Sequence, residues 1–153
     1  MRQERPADGP ELCIGPHRYQ IEEDLFHWQP RGEVLSDHAR VVVAVVLELY
    51  KRFGYVLYLL DGRAGKPLGP DVRRIVVDGL RPLQGSLAMA AFGLSFVERT
   101  SGILVFRAAR LLTGLNFPFK FVSTEAEARI FLCAYRNSRT QERRIPSRIS
   151  PHA

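Results

Sequence analysis

Six consecutive apolar residues, Tyr55-Val56-Leu57-Tyr58-Leu59-Leu60, end abruptly at Asp61-Gly62. This run restricts the folds open to the chain more than any other feature. A short continuous apolar segment bounded by turn residues predicts a strand buried on both faces, as in a parallel sheet flanked by helices. Segments with helical spacing lie before and after it, so the strand belongs inside a β-α-β series. In such sheets ligands gather beyond the carboxyl ends of the strands. That rule singles out Asp61, Gly62 and the loop that follows.

The polar spacing around the run supports this frame. Asp37, Arg40, Ala44, Glu48 and Lys51 recur every three or four residues, opposite a stripe of Val42, Val45, Val46, Leu49 and Phe53. A helix is therefore predicted from a Ser36 cap to Gly54 despite the β-branched residues of Val41–Leu47. Before it, Tyr19/Ile21 and Phe26/Trp28 alternate around Glu22-Glu23-Asp24, which predicts a hairpin with a solvated acidic turn. After Asp61, Pro70 suits the first helical position and Val72, Ile75, Val76 and Leu80 form a buried stripe. Ser86–Phe92 reads as a strand of small residues that lets helices sit close. A long helix to about Thr113 follows, with Leu104, Ala108, Leu111 and Leu112 expected to face the core and Gly102 as a soft spot. Phe117–Val122 is the last strand, and Pro118 places it at a strand start or on a sheet edge. Thr124 with Glu127 forms a capping-box pattern for a final helix ending near Arg136.

The 153-residue length suits one domain with a real core. Residues 1–16, rich in proline and glycine, read as a flexible arm, residues 17–136 as the α/β domain, and residues 137–153 as a disordered basic tail. The net charge is +6, but Arg136, Arg139, Arg143, Arg144 and Arg148 against Glu142 concentrate most of it at the end of the chain. Two widely separated cysteines, Cys13 and Cys133, with no metal-ligand spacing, suit a reducing cytosol. No apolar leader segment is evident, and no run approaches the ~20 residues of a spanning helix. A cytoplasmic protein is expected.

The order β-β-α-β-α-β-α-β-α, with Trp28-Gln-Pro-Arg-Gly-Glu-Val, Leu59-Leu-Asp-Gly and Phe119-Lys-Phe-Val-Ser-Thr-Glu-Ala-Glu-Ala-Arg, resembles the STAS domain. The closer similarity is to SpoIIAA-like bacterial proteins, over about residues 17–136. The resemblance implies a STAS-like single α/β domain with a mostly parallel sheet, acting as a non-enzymatic regulatory or protein-binding module. In the family's anti-sigma factor antagonists, a serine or threonine just after the third strand is phosphorylated to switch partner binding. Between Asp61 and Gly85 this chain has no Ser, Thr or Tyr, so only partner binding carries over. Ser95 and Thr100 are the hydroxyls to which a surface switch would have moved.

Candidate chemistry is sparse. Gly65-Lys66 suggests a P-loop, but Leu60 and Pro67 replace its glycine and hydroxyl residue, which excludes nucleotide hydrolysis. Arg63 and Lys66 near a helix start offer an anion site. Ser36-Asp37-His38 has the letters of a hydrolase triad, but consecutive helical residues point apart. The histidines lack zinc spacing, and Cys133 reads as packing. Ile103, Phe106, Arg107 and Arg110 share a helix flank off the core stripe, suited to a protein partner or an anionic lipid. The candidate binding residues are thus Asp61, Gly62, Arg63, Lys66, Ser95, Ile103, Phe106, Arg107 and Arg110. No catalytic, metal or cofactor residue is assigned, and specific nucleic-acid binding is not expected because the arginine tail lacks interleaved aromatics. The alternatives are a small-molecule or lipid carrier and an enzyme using Asp61.

Overall fold

The computed structural model describes residues 9–114 and 116–144. Six strands form one sheet in chain order: β1 (Leu12–Ile14), β2 (His17–Glu22), β3 (Leu25–Gln29), β4 (Val56–Asp61), β5 (Leu87–Phe92) and β6 (Phe119–Phe121). The first three pair antiparallel, and β3 through β6 run parallel. The chain is α/β with a mostly parallel sheet, as its apolar pattern requires. One strand lies where a loose arm was expected: β1 pairs Leu12 with Tyr19 and Ile14 with His17. Residues 1–8 of that arm fall outside the described residues.

Alternation along the strands sorts side chains to two cores. Phe26, Trp28, Tyr58, Leu87 and Met89 face α1 (Ser36–Phe53) and α2 (Pro70–Leu80), which bury Val42, Val46, Leu49, Val72 and Leu80 with them. Leu57, Leu59, Ala88, Ala90 and Phe92 face α4 (Glu125–Arg144), which contributes Ala128 and Leu132. Each fully buried leucine contributes about 1.5–3 kcal/mol. The alanines of β5 leave room for α4 to lie close, the role expected of that strand's small residues.

Local chemistry sets the helix ends. Pro70 opens α2 and Gly54 closes α1 in the left-handed region at φ 76°. Ser36 is the first helical residue of α1 and not its cap. Leu35 occupies the cap position, and its N–H donates to His38 Nδ1 at 3.1 Å. Ser95 and Glu98 form a reciprocal capping box at the start of α3 (Phe96–Thr113). Gly79 does more than weaken α2, because a Cβ there would meet Val43 Cγ1 at 2.4 Å. The glycine lets α1 and α2 cross closely.

Two further expectations are corrected. In α3 no residue is buried, and Leu104, Ala108, Leu111 and Leu112 face solvent instead of the core. The inner side is Gly102, Val105, Phe106 and Ala109. Phe106 stacks on Phe119 at 4.0 Å between centroids, and a Cβ on Gly102 would meet Phe121 Cζ at 2.5 Å. The soft spot is the contact point of α3 with β6. Sequence periodicity found an apolar stripe but could not tell which side the sheet occupied.

The second correction concerns the expected disordered tail. α4 continues to Arg144, and its arginines are used inside the domain. Arg136 grips Asp24 with Nε–Oδ2 2.8 Å and Nη2–Oδ1 2.6 Å. Arg139 donates to Gly54 O and Arg143 to Phe53 O, at 3.1 and 3.0 Å. Asp24 is buried, so its turn is not a solvated acidic loop. It also accepts a hydrogen bond from the Tyr55 hydroxyl. Burial, then the carboxylate of Asp24, push the Tyr55 phenol up to about 12, which keeps it a donor. Residues 145–153 of the expected tail lie outside the described residues.

Two stability predictions follow from this packing. Gly79→Ala should lower unfolding free energy by about 1–2 kcal/mol in urea denaturation, although helix propensity alone favours alanine by ~1 kcal/mol. Arg136→Leu should cost about 2 kcal/mol at neutral pH by stranding the Asp24 carboxylate, and adding Asp24→Leu should recover part of that loss.

Candidate functional site

The sheet's carboxyl edge carries the residues that the strand-end rule selects. Asp61 is the last residue of β4 and is buried. Its carboxylate is held by one neighbour: Arg63 donates from its backbone N–H and Nε to Oδ1 at 3.1 and 3.0 Å, and from Nη2 to Oδ2 at 2.7 Å. Burial alone would raise the Asp61 pKa, but these hydrogen bonds outweigh it and hold the carboxyl below its usual range. Arg63 also lies over the Phe92 ring at 5.5 Å. Its Cγ fills the space that a Cβ on Gly93 would take, at 2.4 Å, and Gly93 has φ 77°. The backbone is shaped to seat that arginine.

The loop after Asp61 is tied to the segment after β3. Gly32 N–H donates to Ala64 O at 2.8 Å, Lys66 N–H donates to Gly32 O at 3.3 Å, and Gly65 packs on Pro30. A cleft of about 470 Å³, open to solvent, lies between the two segments, lined by Gln29, Pro30, Arg31, Asp61, Arg63 and Ala64. Gly62 is buried beside Leu94, and Lys66 is exposed at the far end of the loop. Ser95 is a helix cap on the next strand–helix turn.

Sequence reasoning missed the charged group beneath this cleft. His27 on β3 is buried, and neither ring nitrogen makes a hydrogen bond. Its Nδ1 faces Glu22 Oε1 at 3.9 Å and its Nε2 faces Glu125 Oε1 at 3.6 Å. Arg129 joins both acids, donating to Glu22 at 2.7 and 3.0 Å and to Glu125 at 3.4 Å. The Arg129 hydrogen bond holds the Glu22 carboxyl below its ordinary value. Burial lowers the His27 pKa, and so does Arg129, while Glu125, Glu22 and Asp61 pull the other way without reversing it. A second histidine, His17, is fully buried between β2 and α1. Its Nδ1 accepts from Arg31 N–H at 2.9 Å and its Nε2 lies 3.1 Å from His38 Nδ1. Burial and His38 lower its pKa as well. The signal available in the sequence was the spacing of Arg129 and Arg136, seven residues apart on α4, opposite the acids of the hairpin turn.

The remaining sequence-selected residues form a separate group on α3. Ile103, Arg107 and Arg110 are exposed, but Phe106 is not beside them. It is packed inward against Phe117 and Phe119, so it leaves the proposed flank. Cys133, expected to pack, is exposed, with Arg136 Nη1 3.8 Å from its sulfur. Among the described residues, no helix is long and apolar enough to cross a membrane.

Compared with protein-family models, with curated proteins and with solved structures, the chain gives no match in any of the three. The reading of its function therefore rests on its own geometry and on the sequence resemblance.

The buried histidines fix the sign of one pH effect. Their folded pKa values lie below the unfolded value of ~6.5, so the unfolded chain binds more protons and stability falls as pH drops through that value. The carboxylates Glu22 and Asp61 are depressed and lose their contribution only at lower pH, below ~4.5. The thermal midpoint should thus fall between pH 7 and 5, and His27→Gln should reduce that fall. An unchanged slope in the variant contradicts the assignment to His27.

Proposed function

We propose that the chain is a non-catalytic, STAS-like regulatory module that engages a protein partner through the outward face of α3. One observation carries this reading: Phe96, Val97, Leu104, Leu111 and Leu112 are 77%, 71%, 61%, 86% and 85% exposed on a single helix. Isolated apolar residues are ordinary on surfaces, but a contiguous group along one helix marks a contact surface. The proposed contact keeps Ile103, Arg107 and Arg110 of the sequence-selected flank and replaces Phe106 with Leu104 and Leu111.

Partner binding is preferred to catalysis because Asp61 is a poor general base. Its carboxylate is saturated by Arg63, and the cleft lining adds only Gln29, Pro30, Arg31 and Ala64. It is preferred to a carrier because this cleft and a second one along α1 both open to solvent, whereas small-molecule sites bury most of their ligand. The α2 start is Gly69-Pro70-Asp71, with no hydroxyl to phosphorylate. Binding in this reading is constitutive, in the cytoplasm.

The test is a quantitative pull-down from the native cytosol with wild type and a Leu104→Asp/Leu111→Asp variant. Specific partners should drop at least tenfold in the variant while its circular dichroism is unchanged. Equal recovery would remove α3 as the contact surface.

A further inference from the structure

Arg63 is exposed, yet the fold holds it in one place. Asp61 takes one side of its guanidinium through Nε and Nη2, the Phe92 ring lies against it at 5.5 Å, and its Cγ occupies the space left by Gly93. A guanidinium has a second edge, formed by Nη1 and the remaining Nη2 hydrogen, whose fork matches a carboxylate or a phosphate. Among the described residues, Arg63 Nη1 makes no hydrogen bond or ion pair. An exposed arginine normally loses rotamer freedom when it binds, but here the side chain is ordered beforehand.

The surroundings suit an anion. Arg63 lines the cleft of about 470 Å³ from the loop after β4, and Arg31 lines it from the segment after β3. The Arg31 backbone is fixed, its N–H donating to His17 Nδ1 at 2.9 Å, and the next residue, Gly32, is tied to Ala64 O at 2.8 Å. Among the described residues, the Arg31 side chain has no hydrogen bond or ion pair. Arg63 neutralises Asp61, so Arg31 leaves the lining cationic. Glu125 also acts on Arg63, but its carboxylate is engaged by Arg129 at 3.4 Å.

We infer that this cleft binds a small organic oxyanion, a carboxylate or a phosphate monoester, with two of its oxygens on the free edge of Arg63 and Arg31 adding charge from the facing segment. The site lies at the carboxyl edge of the parallel strands, where α/β sheets place their ligands. It is separate from the α3 surface and does not depend on the proposed function. The cleft's volume is that of a small-molecule site, ~300–1,000 Å³. Because it is open, it grips a headgroup and leaves the rest of the ligand in water. Lys66, paired with Arg63 in the sequence reading, lies at the far end of the loop and is replaced by Arg31.

The test is a titration of phenyl phosphate, benzoate and neutral benzamide into the full chain labelled with ¹⁵N. Shifts are read at the amides of Arg31, Gly32 and Ala64 and at the Arg63 Nε–H. The anions should give saturable shifts at these signals and benzamide none. Arg31→Gln should weaken the tighter anion roughly fivefold or more. Lys66→Gln removes the same charge outside the cleft and should change the affinity by less than about twofold. Arg63→Lys keeps the charge but lacks the fork, and should weaken binding roughly tenfold. If that variant loses its folded spectrum, the comparison of Arg31→Gln with Lys66→Gln decides alone. Saturation by one anion only supports the site and names its headgroup. Shifts that do not saturate, an equal response to benzamide, or equal losses in Arg31→Gln and Lys66→Gln would overturn the inference.

Discussion

Parallel strands buried on both faces need helices on both faces, and the rest of this molecule follows from how that need is met. β4 and β5 carry Leu57, Leu59, Ala88 and Ala90 toward one side and Tyr58, Leu87 and Met89 toward the other, all buried. The crossed pair α1 and α2 covers one side, made close by Gly79. Among the described residues, α4 covers the other side. With both cores closed, α3 rests among the described residues on the sheet's edge, through Gly102 on Phe121 and Phe106 on Phe117 and Phe119. Its outer apolar residues are therefore left over from folding, and a surface left over from folding is available for binding.

Charge is divided along the same line. The arginines of α4 serve the fold: Arg129 and Arg136 reach Glu22 and Asp24 at the far end of the β2–β3 hairpin, and Arg139 and Arg143 satisfy carbonyls beside Gly54. Such partly buried, bidentate pairs bring orientation as well as energy. They fix the angle of the one helix that covers its face. Among the described residues the arginines of α3 make no such ion pair. At the carboxyl edge the same division applies, since Arg63 neutralises Asp61 and what looks like a reactive acid in sequence is a closed ion pair beside an open cleft.

Much of the fold was legible because it depends on local signals. The apolar run ending at Asp61, Pro70 at a helix start, Gly54 and Gly114 at helix ends, and Thr124 with Glu127 each act over a few residues. The structure places elements where those signals put them. What was not legible depends on distant partners. Asp24 and Arg136 are 112 residues apart, so nothing local distinguishes a buried acid in a turn from a solvated one. α4 was cut short because its last turns carry few apolar residues and are held by arginine–carbonyl contacts instead. For α3, two apolar stripes share one helix, and periodicity gives the stripes without naming the one that meets the sheet. His27 gave no signal at all, being a single histidine in an alternating strand.

The central claim is that the outer face of α3 is surplus to the fold. Equilibrium urea denaturation of the Leu104→Asp/Leu111→Asp variant tests it most directly. If both side chains stand in solvent, the unfolding free energy should stay within about 0.5 kcal/mol of wild type, the range of ordinary surface substitutions. A loss of several kcal/mol, the size expected for charges forced into a core, would show that this face is packed and contradict the account.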